Sequence, residues 1–168
     1  MKGLGFNVKM KTGAGGNWKR FGEKVDSSVI QQTGGVSCLS AVGEMLLKNR
    51  GIIVSQAEIR DIIGEPSTAS MLAFALNRFD FADEKLKWHG IVTNIEGVDF
   101  LFRQKNWSAI LIENYLLNKM GHAVLIDGKT RNGLIKIKDS FDQTSYKITE
   151  DEFFKYWGGE VIFNGTIK

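Results

Sequence analysis

Gln32-Thr33-Gly34-Gly35-Val36-Ser37-Cys38-Leu39-Ser40-Ala41-Val42-Gly43-Glu44-Met45-Leu46-Leu47 is the stretch on which the fold turns. A polar, glycine-broken loop runs into a segment where Ala41, Val42, Met45 and Leu46 recur at helical spacing, with Glu44 and Lys48 on a more polar face. The spacing predicts a helix over 37–49, capped by Ser37 or a neighbour and stopped at Gly51. Cys38, the one cysteine of the chain, then lies in the first turn, where helical amides favour a thiolate.

Working outward, Ser55 followed by Glu58 reads as a capping box opening a helix that ends at Gly64. After Pro66, a third helix is expected over Ser70 to Asn77. The second half changes period. Strands are expected at Leu86 to Val92, Ser108 to Ile112, His122 to Gly128, Leu134 to Ser140 and Val161 to Phe163. Short helices are expected over Val98 to Lys105 and after the Thr149 cap, the latter carrying Phe153, Phe154 and Trp157. Helices first and a twisted antiparallel sheet second define an α+β domain.

Residues 1–24, with Lys11-Thr12-Gly13-Ala14-Gly15-Gly16-Asn17 at their centre, read as a glycine-rich basic arm or linker, either docked or disordered, ahead of a single domain over 25–168. Their glycines carry no phosphate-binding fingerprint. At 168 residues and 43% hydrophobic composition the chain suffices for one core, burying roughly two-thirds of its extended-chain surface. One cysteine and two histidines exclude an internal disulfide and a structural zinc cluster, and no cofactor is expected. The net charge of +3 is too slight to announce a nucleic-acid binder, although Lys2, Lys9, Lys11, Lys19, Arg20 and Lys24 concentrate it early. No apolar run is long enough for a membrane span, so a soluble domain is expected, either free-standing or excised from a larger secreted protein.

Four residues stand out chemically. Cys38 is a candidate nucleophile, and His122, opening an apolar strand, is its candidate base. Asp139, on the strand expected to pair next to that of His122, would orient the imidazole. Gln32, six positions before Cys38, offers an amide donor that joins the Cys38 backbone N–H in holding an oxyanion. Each also fits an ordinary role: a core thiol, a strand-edge histidine, a surface amide, a turn carboxylate. Their joint order favours the chemical reading. His89 is expected to be structural or exposed.

On these residues the chain resembles the papain-like cysteine peptidase superfamily, particularly the compact bacterial branch containing the leader-processing domains of bacteriocin exporters. In that branch a Gln lies six residues before the Cys and an alanine three residues after it, matched by Gln32, Cys38 and Ala41. Val54-Ser55-Gln56-Ala57-Glu58-Ile59, Gly121-His122-Ala123-Val124 and Ile137-Lys138-Asp139-Ser140 match the second helix and the His and Asp strands, and the resemblance covers about residues 28 to 163. It implies a helical part whose nucleophile helix packs on an antiparallel sheet, and a protein or peptide substrate. One departure stands in Val36-Ser37-Cys38-Leu39, where exporter-associated domains place an acidic residue before Cys-Gly.

Similar domains also form the toxic payloads of bacterial polymorphic and contact-dependent inhibition systems. That likeness implies delivery into a neighbouring bacterium's cytoplasm and a cognate immunity protein. Three functions follow for comparison. The leading one is a cysteine-dependent amide hydrolase, either a protease or a glutamine deamidase. Against it stand an RNA-cleaving toxin, using His122 or His89 with Trp18, Trp88, Trp107 and Trp157 as stacking platforms, and a catalytically inactive binding domain.

Overall fold

The computed structural model describes residues 18–81, 84–112 and 121–166. Its elements in chain order are β1 (Phe21–Val25), α1 (Cys38–Lys48), α2 (Gln56–Ile63), α3 (Ala69–Phe79), a 3-10 turn at Glu84–Leu86, β2 (Trp88–Val92), α4 (Ile95–Leu101), β3 (Trp107–Leu111), β4 (His122–Lys129), β5 (Ile135–Asp139), β6 (Thr144–Ile148), α5 (Glu150–Tyr156) and β7 (Trp157–Asn164). The strands form one antiparallel sheet in the order β1-β6-β5-β4-β3-β7-β2. The fold is therefore α+β, with helices packed on an antiparallel sheet.

β4 lies in the middle of that sheet, and its run Ala123-Val124-Leu125-Ile126 is buried residue after residue, as a strand covered on both faces must be. One face carries α1, α2 and α3: Val42, Met45, Leu46, Leu72 and Leu76 meet Ala123, Leu125 and Ile162 there. The other face holds Trp107, Val124, Ile126, Ile137, Ile148 and Phe153, under Val98 and Leu101 of α4. Truncating a fully buried leucine such as Leu46 or Leu125 to alanine would cost about 2–5 kcal/mol. Close approach on the first face depends on Gly43, where a Cβ would sit 2.8 Å from Leu72 Cδ1.

The capping box is present: Ser55 N–H donates to Glu58 Oε2 at 2.9 Å and Glu58 N–H to Ser55 Oγ at 3.2 Å. Ser37 occupies the cap position of α1 but makes no side-chain capping bond. The helix expected at 98–105 lies earlier because Asn94 caps it, accepting from Gly97 N–H at 2.9 Å. Trp157, expected in the last helix, instead opens β7. β6 is the strand that a search for apolar runs passes over. Its inward positions Thr144, Tyr146 and Ile148 include a single aliphatic residue.

The segment assigned from sequence to the arm contributes to the sheet. Phe21–Val25 pairs with β6, and Lys19 N–H donates to Glu152 Oε2 at 2.8 Å. Trp18 is 1% exposed. Residues 1–17, including the glycine run and Lys2, Lys9 and Lys11, lie outside the described residues. No described helix is long and apolar enough to cross a membrane.

Candidate active site

Three of the four sequence-selected residues converge where α1 begins against β4. Cys38 is the first residue of α1, His122 the first of β4 and Asp139 the last of β5. Because β4 and β5 run antiparallel, the start of one lies beside the end of the other, and His122 Nε2 approaches Asp139 Oδ1 to 2.7 Å. Both side chains are fully buried, whereas Cys38 is 6% exposed. A carboxylate can only accept, so Nε2 carries the proton and Nδ1 is the nitrogen left for the thiol. The Cys38 thiol is close enough to act electrostatically on the imidazole.

The electrostatics follow from this packing. Burial, the largest single influence, pulls the His122 pKa down, but the Asp139 charge and hydrogen bond, together with those of Cys38, outweigh it and raise the value to about 10. Asp139 carries further donors: Phe141 N–H reaches Oδ1 at 3.0 Å and Tyr146 Oη–H reaches Oδ2 at 2.8 Å. Burial and the nearby Asp139 charge push the Tyr146 phenol well above its ordinary value, so it remains a donor.

Trp18 completes this side of the site. Its Nε1–H donates to Tyr146 Oη at 2.8 Å, and its ring stacks on His122 with centroids 6.3 Å apart. A relay of hydrogen bonds therefore runs Trp18, Tyr146, Asp139, His122. Sequence reasoning missed its first two members. The alternation Thr144-Ser145-Tyr146-Lys147-Ile148 was the available signal for Tyr146; Trp18 had none, since a tryptophan beside a glycine-rich segment has no periodic neighbours.

Gln32 lies on the loop before α1, 7% exposed and fixed at three points. Its backbone N–H donates to Ser140 O at 2.8 Å, its Oε1 accepts from Ser140 Oγ at 2.9 Å and its Nε2 donates to Gly34 O at 2.7 Å. Gln56 braces the same loop: its Oε1 accepts from Thr33 N–H at 3.1 Å and its Nε2 donates to Gln31 O at 2.8 Å, while its own N–H reaches Glu44 Oε1 at 2.7 Å. The Ser-Gln segment noticed in the sequence thus ties α1, α2 and the Gln32 loop together. His89, on edge strand β2, packs on Phe163 three strands from β4.

A groove of about 240 Å³ opens beside Cys38, walled by Val36, Leu39, Ile110 and Ile112. Gly121, just before His122, keeps it clear: a Cβ there would lie 2.2 Å from Ile110 Cγ2. Among the described residues no group of three or more His, Cys, Asp or Glu side chains is placed to hold a metal.

A family model described as the Peptidase C39 family matches residues 26–166. The chain belongs to that family. It is 35% identical over 157 residues to a protein of Escherichia coli O1:K1:H7 named Cysteine protease effector 1, an alignment covering 93% of this chain and 30% of that protein. The chain thus spans about a third of the length of the curated relative it matches. Two solved structures share the C39 fold. The peptidase domain of Streptococcus ComA, a bifunctional ABC transporter involved in quorum sensing, superposes with a TM-score of 0.66 at 18% identity, covering 81% of this chain and 96% of that one. A double glycine motif protease from an AMS/PCAT transporter, in complex with its leader peptide, gives 0.61 at 21% identity, with 90% and 95% covered.

Three of the buried tryptophans speak against base stacking. Trp18, Trp88 and Trp107 are at most 2% exposed, and Trp157 stacks on Phe153. Trp18, Trp88 and Trp107 therefore present no free face of the kind single-stranded nucleic acid needs.

Proposed function

We propose that the chain is a cysteine peptidase in which Cys38, His122 and Asp139 form the catalytic triad. The observation that carries this reading is the His122–Asp139 hydrogen bond at the start of β4, beside Cys38 where α1 begins at the mouth of a groove. Cys38 attacks the scissile carbonyl as thiolate, stabilised by the His122 imidazolium and the first-turn amides of α1. His122 then gives its proton to the leaving amine, and water, activated by the same imidazole, releases the acyl group from sulfur. Asp139 accepts from Nε2 throughout and holds the ring so that Nδ1 faces the sulfur. The Gln32 amide has a second N–H beyond the one given to Gly34, and with the Cys38 backbone N–H it holds the oxyanion.

The family and the effector relative support peptide cleavage over side-chain deamidation. By analogy with the double glycine motif protease of known structure, small residues are expected directly at the scissile bond. The word effector in that relative's name accords with the payload resemblance drawn from the sequence, by which the chain would act inside a target bacterium and meet a cognate immunity protein. The test is to incubate the purified chain with peptides containing consecutive small residues and read the products by mass spectrometry, and to express it in the Escherichia coli cytoplasm. The parent chain is expected to cut peptides and arrest growth, and C38A and H122A to do neither. Deamidated products of intact length, RNA cleavage that survives C38A, or growth arrest by C38A would overturn the reading.

A further inference from the structure

One wall of the groove differs from the rest. Glu160 lies on β7 beside Val161, whose side chain joins the core on the far face of the sheet. Strand alternation therefore sends Glu160 to the same face as Ile162, the face that carries α1 and α3. The regular pairing Val92↔Glu160 and Gly90↔Ile162 fixes that assignment. Gly90 lies against the backbone at the start of α3, where a Cβ would come within 2.1 Å of Ala69 O, so this end of β7 faces the turn that leads into the helix.

Pro66, Ser67 and Thr68 of that turn line the same groove. The Ser67 hydroxyl is buried with no hydrogen-bond partner among the described residues. Thr68 Oγ1 is occupied as the cap of α3, accepting from Met71 N–H at 3.2 Å. Apart from Cys38 itself, Glu160 is the one ionisable residue among the described residues lining the groove, and no described residue forms a salt bridge with it. Its backbone carbonyl is engaged, accepting from Trp157 Nε1–H at 3.0 Å, which holds the strand in place. Glu160 thus brings a carboxylate, with no ion-pair partner among the described residues, to a groove lined mainly by apolar side chains.

We propose that Glu160 is a specificity-determining residue that selects a lysine or arginine close to the scissile bond of the substrate. This rests on the peptidase reading, since the groove is that of Cys38. An anion half-shielded by apolar walls attracts a cation more strongly than a fully solvated one does, and charge-assisted hydrogen bonds from an ammonium or guanidinium suit a carboxylate. An acidic side chain in the same place would meet like charge, so the groove also discriminates by repulsion.

The test uses the parent chain, E160Q and E160K, with C38A as the background control. A peptide cut by the parent chain is remade with Lys, Arg, Gln or Glu at one position at a time, within about three residues on either side of the cut, and kcat/KM is measured for each. At one position the parent chain is expected to prefer Lys or Arg over Gln by about five- to tenfold and to disfavour Glu. E160Q should reduce that ratio to below about twofold, and E160K should turn the preference toward Glu. Cleavage with no basic preference at any position, or a preference unchanged in E160Q, overturns the proposal and leaves the peptidase reading standing. Cleavage of no peptide by the parent chain would overturn the peptidase reading itself, and the proposal with it.

Discussion

The two sides of His122 are built differently. Toward Asp139 the imidazole faces a closed, buried network in which every carboxylate oxygen has a donor and a tryptophan lies over the ring. Toward Cys38 it faces a groove lined by Glu160, whose carboxylate forms no ion pair among the described residues. The first side fixes a tautomer, an orientation and a charge, all of which must be settled before substrate arrives. The second is left for the substrate to fill. Buried polar groups that are fully satisfied confer rigidity, whereas those on the open side become useful only when a ligand completes them.

The largest effect should come from breaking the closed side at its centre. D139N keeps the shape but removes the charge that holds the His122 cation, and kcat is expected to fall about 10²- to 10⁴-fold. The pH dependence sharpens this. The His122 pKa is raised to about 10, so the parent enzyme should lose activity on the alkaline side only as pH rises toward that value and the cation is lost. Asp139 raises the pKa, so D139N should move the alkaline limb to lower pH. The same linkage acts on stability: a raised folded-state pKa contributes stability that is complete below about 6.5 and lost as pH rises through about 10. Thermal melts over that window should show the parent chain losing midpoint, and D139N losing less.

A smaller effect is expected one step further out. W18A removes a fully buried ring and should destabilise the fold by about 3–5 kcal/mol. Y146F, which strips Asp139 Oδ2 of one donor and Trp18 Nε1–H of its acceptor, should cost about 1–3 kcal/mol. Both should lower kcat more than they raise KM, since neither residue lines the groove, and urea melts with steady-state kinetics would check both effects. W18F tests the division of labour: it keeps a ring over His122 and should recover part of the lost kcat. Equal kcat in W18A and the parent chain would remove Trp18 from the list of positioning residues.

Most of the site was legible because its members sit at element boundaries that sequence marks clearly. Cys38 opens an amphipathic helix, and His122 and Asp139 open and close apolar strands, so antiparallel pairing alone brings the last two together. The remainder depended on long-range contacts that leave little local trace. Tyr146 sits in a strand whose inward residues are mostly not aliphatic, and Trp18 lies 128 positions from its hydrogen-bond partner. Gln56 was visible as part of a capped helix start, but its grip on the Gln32 loop required the helices to be in place. Glu160, one residue before the strand expected at Val161 to Phe163, carried no signal of its own until the fold set it in the groove with the turn before α3.

The account centres on a histidine held as a cation beside Cys38 by a buried carboxylate, and an NMR titration of the His122 imidazole, with His89 as the internal reference, tests it most directly. A His122 inflection at about 10, moved downward in both D139N and C38A, is the expected result. An inflection near 6.5 that neither substitution moves would contradict the account, because His122 would then have no electrostatic link to either neighbour.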